Sequence, residues 1–214
     1  MARGYGIFGV LTYKGLVMDK SRMAAFSDGF FAVIITIMVL ELQAPHGITI
    51  AALGPLVPIF LSYVLSFVYG GIFWVKHHHL IAITRRINNG VLWANMNFLF
   101  WMSLVPFFTA WVDENHLASV PVASYGASLF MVVASYRLLE IVIMNAHDTD
   151  SIVRRVLGPG YREKLSMLAL LIGIGLSFVM PLVAMAIYIG VAIAWMITKR
   201  AMMRALSAMA EDED

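Results

Sequence analysis

Residues 22–42 read RMAAFSDGFFAVIITIMVLEL. The run has the length of a membrane-spanning helix, about 20 apolar residues, yet it carries Arg22, Ser27, Asp28 and Gly29 at or near its start. A carboxylate and a hydroxyl at the edge of a hydrocarbon core are costly unless other spans supply partners. The chain is therefore expected to be arranged around this helix.

Composition supports that reading. Of 214 residues, 61% are hydrophobic and 13% charged, against about 25% charged in an average soluble domain. This is the composition of an integral membrane protein, and at about 20 residues per span its length allows five to seven helices. With no cysteine in the sequence there is no disulfide or thiolate metal site. The first 17 residues lack the long apolar core and cleavage site of a signal peptide, and translation could begin at Met1 or at Met18.

Six spans are expected, at about 23–42, 50–74, 90–112, 119–144, 164–180 and 183–203. Pro45 and Gly47 follow the first, Pro55 and Pro58 fall early in the second, and Pro181 marks a tight turn between the last two. The domain division follows: an N-terminal segment 1–20, an all-α membrane domain 21–205 and an acidic tail 206–214. Lysine and arginine gather on one side, at Lys14, Lys20, Arg22, Lys76, Arg85, Arg86, Arg154, Arg155, Arg162, Lys164, Lys199, Arg200 and Arg204. The connections on the other side, 43–49 and 113–118, hold none. The positive-inside rule then puts both termini in the cytoplasm, as an even number of spans requires.

Taken at about 100° per residue, Gly29, Val33, Ile37 and Leu40 share one stripe of the first span, with Thr36 and Phe26 beside it. Such a stripe fits a pore wall with aliphatic constrictions, but on the pattern alone ordinary helix packing in lipid is the better reading. Arg22 and Asp28 lie on different sides of the helix, so each needs its own partner, for a functional site or for a structural ion pair. His77, His78 and His79 are consecutive and cannot chelate one ion together, and the HExxH spacing is absent. They are expected at the interface with Trp74 in the aromatic belt. Asn95 and Asn97 read as interhelical hydrogen-bonding residues, and Arg137 with Glu140 as a structural pair. No catalytic motif, phosphate loop, cofactor site or nucleic-acid signal is visible.

Arg22-x-x-x-Phe26-Ser27-Asp28 resembles the RxxxFSD signature of the endolysosomal potassium channel family (transmembrane protein 175) and its bacterial relatives. The likeness continues through Gly29, Phe31, Ala32, Thr36 and the Val-Leu-Glu-Leu ending at Leu42. It reappears in Trp74-x-x-His77-His78-x-Leu80 and in Trp93-x-Asn95 with Pro106-Phe107. The resemblance implies a homotetramer of six-helix subunits in the cell membrane, the first helix of each lining a central potassium pore. It implies a constriction at Val33, with further rings at Ile37 and Leu40 and a hydroxyl at Thr36. It also implies a network of Arg22 and Asp28 with His77 (or His78) and Trp93 that positions the first helix, together with Phe26 and Ser27 of the motif. Relatives commonly have Ile or Leu where this chain has Val33, which bears on selectivity, and Lys76 stands where many have an uncharged polar residue. Glu41, Asp113 and Glu114 are expected to make the outer mouth attractive to cations. Two rival functions are a proton-coupled secondary transporter using Asp28 and the histidines, and a metal-dependent membrane enzyme using His77–His79. The bilayer and the potassium ion are the expected partners.

Overall fold

The computed structural model describes residues 20–40, 42, 44–45, 47–147 and 152–196. Among these the chain is all-helical: α1 (Lys20–Leu40), a 3₁₀ segment (Ile50–Leu56), α2 (Val57–Ile83), α3 (Asn89–Ser103), α4 (Val105–Glu114), α5 (Ser119–Asn145), α6 (Ile152–Leu157), α7 (Tyr161–Ser177) and α8 (Pro181–Met196). Among the described residues, four stretches are long and apolar enough to cross a membrane: Lys20–Leu40, Ile50–Ile83, Asn89–Glu114 and Ser119–Asn145. α8 is a shorter apolar helix.

Prolines and caps set these boundaries. Pro58 sits in the first turn of α2, where its missing N–H leaves no intrahelical bond unmade. Pro106 has the opposite effect farther along. It would clash with the carbonyl four residues earlier and cannot donate to it, so the third membrane stretch breaks at Leu104 into α3 and α4. At the start of α3, Asn88 caps the helix, its side-chain oxygen accepting from the Val91 N–H at 2.9 Å.

The second helix differs most from expectation. It was expected to end near residue 74 and instead continues to Ile83, so the Lys76-to-His79 run lies inside it. The polar letters look like a membrane boundary in sequence. In the fold Lys76 lays its ammonium 5.5 Å from the centre of the Trp195 ring on α8, and His77 is buried, so neither interrupts the helix.

The core is aromatic. Phe73 of α2 packs on Phe98 of α3, Tyr136 of α5 and Trp195 of α8 at centroid distances of 5.8, 5.6 and 5.0 Å. Phe31 of α1 joins at 6.0 Å from Phe98. On the far side α5, α7 and α8 approach closely because two glycines make room for Tyr188. A Cβ added at Gly126 or Gly173 would overlap that ring. The Tyr188 hydroxyl lies 3.2 Å from Ser177 Oγ, and its backbone carbonyl accepts from Tyr69 at 2.6 Å. These polar atoms in the bundle interior thus find partners, as an apolar surround demands.

Candidate functional site

α1 has two unlike faces. Met23, Ser27, Phe31, Ile34 and Met38 are buried against the bundle, at spacings of four, four, three and four residues, which is one helical stripe. The opposite stripe is uncovered: Phe26 is 51% exposed, Val33 56%, Ile37 43% and Leu40 78%. Thr36 and Gly29 are exposed on the same side. The Thr36 hydroxyl donates to its own helix, at Val33 O and 2.9 Å, which leaves the oxygen able to accept.

The helix is held by two separate hydrogen-bond sets, one on its buried face and one at the edge of that face. In the first, the Asn95 side chain of α3 joins two helices. Its Nδ2 donates to Ser27 Oγ on α1 at 3.0 Å, and its Oδ1 lies 2.7 Å from His77 Nε2 on α2. Ser27 in turn donates to Met23 O at 2.9 Å. Because Asn95 Oδ1 is an acceptor only, His77 must carry its proton on Nε2. The His77 ring lies flat on Phe98 at 5.8 Å and tilted to Phe31 at 5.8 Å. In the second set, Trp74 Nε1 of α2 donates to Asp28 Oδ1 at 2.9 Å. A third tie fixes the start of the helix, where Lys20 Nζ donates to the Ala82 carbonyl of α2 at 2.6 Å.

The single network expected from the sequence is therefore divided. Within the subunit, His77 serves Asn95, and the tryptophan bonded to Asp28 is Trp74. Trp93 is 72% exposed on the outside of α3, and no ion pair joins Arg22 to Asp28 among the described residues. The physical reason is helix phase. Asn95 is two residues beyond Trp93 and so points about 200° away from it, so both cannot face α1. By the same rule His78 is rotated from His77; it is exposed and meets the Trp74 ring at 6.2 Å. Asn95 and Trp74 were visible in the sequence as an interhelical donor and an interfacial aromatic, with nothing to say that they share α1 as a target.

At the opposite end of the bundle, Glu114 is exposed and Asp113 half-buried beside Ser62. Glu41 lies outside the described residues. A cleft of about 460 Å³ between α1 and α4 is lined by Ile37, Pro106, Phe107, Trp111 and Glu114, among others. No group of three His, Asp or Glu among the described residues could hold a metal ion.

Residues 22–106, which include every anchor of α1 just described except Lys20, match the family described as endosomal/lysosomal potassium channel TMEM175. A protein from Chryseobacterium sp. strain P1-3 named as a potassium channel is 42% identical over 189 residues, covering 88% of this chain and 98% of that one. The chain belongs to the TMEM175 family. A second relative named as a potassium channel, from Chamaesiphon minutus, is 29% identical and covers 77% of this chain and 92% of its own. The fold matches a crystal structure described as a lysosomal potassium-selective channel TMEM175 homolog from Chamaesiphon minutus, with a TM-score of 0.70 and 26% identity. That match covers 82% of this chain and 95% of that one. This TMEM175-family chain is thus a multi-pass membrane protein of an ion-channel family, and that family is not one of enzymes.

Proposed function

We propose that the chain is one subunit of a potassium-selective or potassium-preferring cation channel, a homotetramer of six-span subunits in the cell membrane with both termini cytoplasmic. The relationship to proteins named as potassium channels over nearly the whole length supports conduction. The observation that carries the pathway is the uncovered stripe of α1. A helix anchored so firmly by one face, with aliphatic side chains free along the other, is suited to line a shared axis.

The mechanism follows from that placement. α7 and α8 supply the fifth and sixth spans, and four copies of α1 surround the pore. Val33 is the constriction, with Ile37 and Leu40 as further rings toward the outer end. Aliphatic rings strip water from an ion without replacing it, and potassium holds its water less tightly than sodium, so a partly dehydrating neck favours potassium. Thr36 offers one outward oxygen per subunit just past the neck. Glu41, Asp113 and Glu114 raise the local cation concentration at the mouth. The Ser27–Asn95–His77 and Asp28–Trp74 bonds keep α1 at the radius that the neck needs. Arg22, Phe26 and Trp93 lie on exposed surfaces of the isolated subunit and would meet neighbouring subunits.

Purified protein in liposomes should pass potassium down its gradient with a reversal potential that favours potassium over sodium. Absence of any potassium flux would show the reading to be wrong. Val33→Asn should raise sodium permeability; unchanged selectivity would reject Val33 as the neck while leaving the channel itself in place. Flux that saturates and stops without a proton gradient would point instead to a proton-coupled carrier.

A further inference from the structure

His147 lies just beyond the last turn of α5, outside the membrane stretches. Its Nε2 receives two backbone N–H groups, from Arg85 at 3.1 Å and Arg86 at 3.3 Å. Its Nδ1 lies 2.8 Å from Ile143 O. A ring nitrogen that accepts carries no proton, so the imidazole must be neutral with its hydrogen on Nδ1, donated to the carbonyl. Arg85 and Arg86 belong to the connection 84–88 between α2 and α3. This is the covalent link between the two helices that hold α1, with Trp74 and His77 at one side and Asn95 at the other.

We infer that His147 is a positioning residue for α1: its neutral ring pins the α2–α3 connection to α5, and protonation releases that connection and alters conduction. A proton on Nε2 would face two N–H donors, so both bonds are lost together. Arg85 and Arg86 are exposed, and water can replace the bonds, which makes the release reversible and local rather than a step toward unfolding. The charged residues on the elements that meet at the ring are Arg85 and Arg86, which reach it through their backbone N–H groups, Lys20 of α1, which donates to the Ala82 carbonyl near the end of α2, and Arg154 of α6, which donates to Met144 O of α5. Asp148 follows in the sequence, outside the described residues. The effect on conduction rests on the channel reading above, whereas the release itself does not.

The test reads both. Amide hydrogen exchange at Arg85 and Arg86 is followed in lipid nanodiscs at about pH 8 and about pH 5, after correction for intrinsic rates. Protection in the unsubstituted protein should fall by about tenfold or more on acidification, as loss of two hydrogen bonds implies. His147→Gln retains an acceptor oxygen that does not titrate, and its protection should not change with pH. Potassium flux should depend on pH at the basic face in the unsubstituted protein and lose that dependence in His147→Gln. Equal protection at both pH values, or a His147→Gln response like that of the unsubstituted protein, overturns the role of His147. Exchange that responds while flux does not overturns the coupling to α1. A protein without flux at any pH refutes the channel reading, and the exchange data still judge the pin.

Discussion

Asn95 carries more of the arrangement than its sequence context suggested. It is 2% exposed and spends both ends of its amide on other helices, one on α1 and one on α2. Interhelical hydrogen bonds in membranes average about 0.6 kcal/mol, but removal of this residue also orphans the buried His77 Nε2–H, for which a cost of about 1–3 kcal/mol is typical. Asn95→Leu should therefore destabilise the subunit by about 1–3 kcal/mol, read by denaturation in detergent. Ser27→Ala should cost less than Asn95→Leu, because the Asn95 amide loses one bond and keeps the other. Equal effects would mean that the bridge to His77 is unimportant. At this scale the sequence was legible in part. The polar letters of the first span announced partners on other helices, and Ser27 has a buried one in Asn95 and Asp28 an exposed one in Trp74. Which partner each takes depends on helix phase and on the depth at which α2 and α3 pass α1. Neither is written in a motif, so Trp74 and Asn95 could not be separated from Trp93 and His78 beforehand.

At the scale of elements, hydrophobic runs and prolines located most boundaries. The spans beginning near 50, 90 and 119 start where the helical stretches Ile50–Ile83, Asn89–Glu114 and Ser119–Asn145 start. The end of α2 was not legible, because four consecutive polar letters mimic an interface. The Trp195 ring under Lys76 and the Asn95 amide beside His77 help to make that run tolerable inside a helix. The break at Leu104 was half legible: Pro106 stood out, but a kink and a mere irregularity look alike in one sequence. Gly126 carries a sharper consequence. Tyr188 occupies the space its side chain would need, so Gly126→Ala should force α5 and α8 apart and destabilise by about 1–3 kcal/mol, the usual range for overpacking. Gly190 has open space around it, and Gly190→Ala should be neutral or slightly stabilising. Thermal unfolding in detergent distinguishes the two, and similar losses at both would contradict the packing described for Tyr188.

For the whole molecule, the uncovered apolar surface matters most. Phe26, Val33, Ile37 and Leu40 on α1 and Trp93, Phe100 and Phe107 on α3 and α4 are each more than 40% exposed in the single subunit. Some such surface faces acyl chains in any membrane protein. α1 is distinctive because the covered half of its circumference is fixed by polar bonds, so its open half has one direction in which to point. Sequence periodicity revealed that stripe but could not tell a pore wall from a lipid face, since both are aliphatic. The absence of cysteine from the sequence makes a direct test available. A single Val33→Cys substitution, reconstituted in liposomes, is treated with a positively charged methanethiosulfonate while potassium flux is recorded. If four copies of Val33 form the neck, modification should abolish flux, and potassium present at high concentration should slow the reaction. Flux that continues unchanged through a fully modified Val33→Cys channel would contradict a pore lined by this helix.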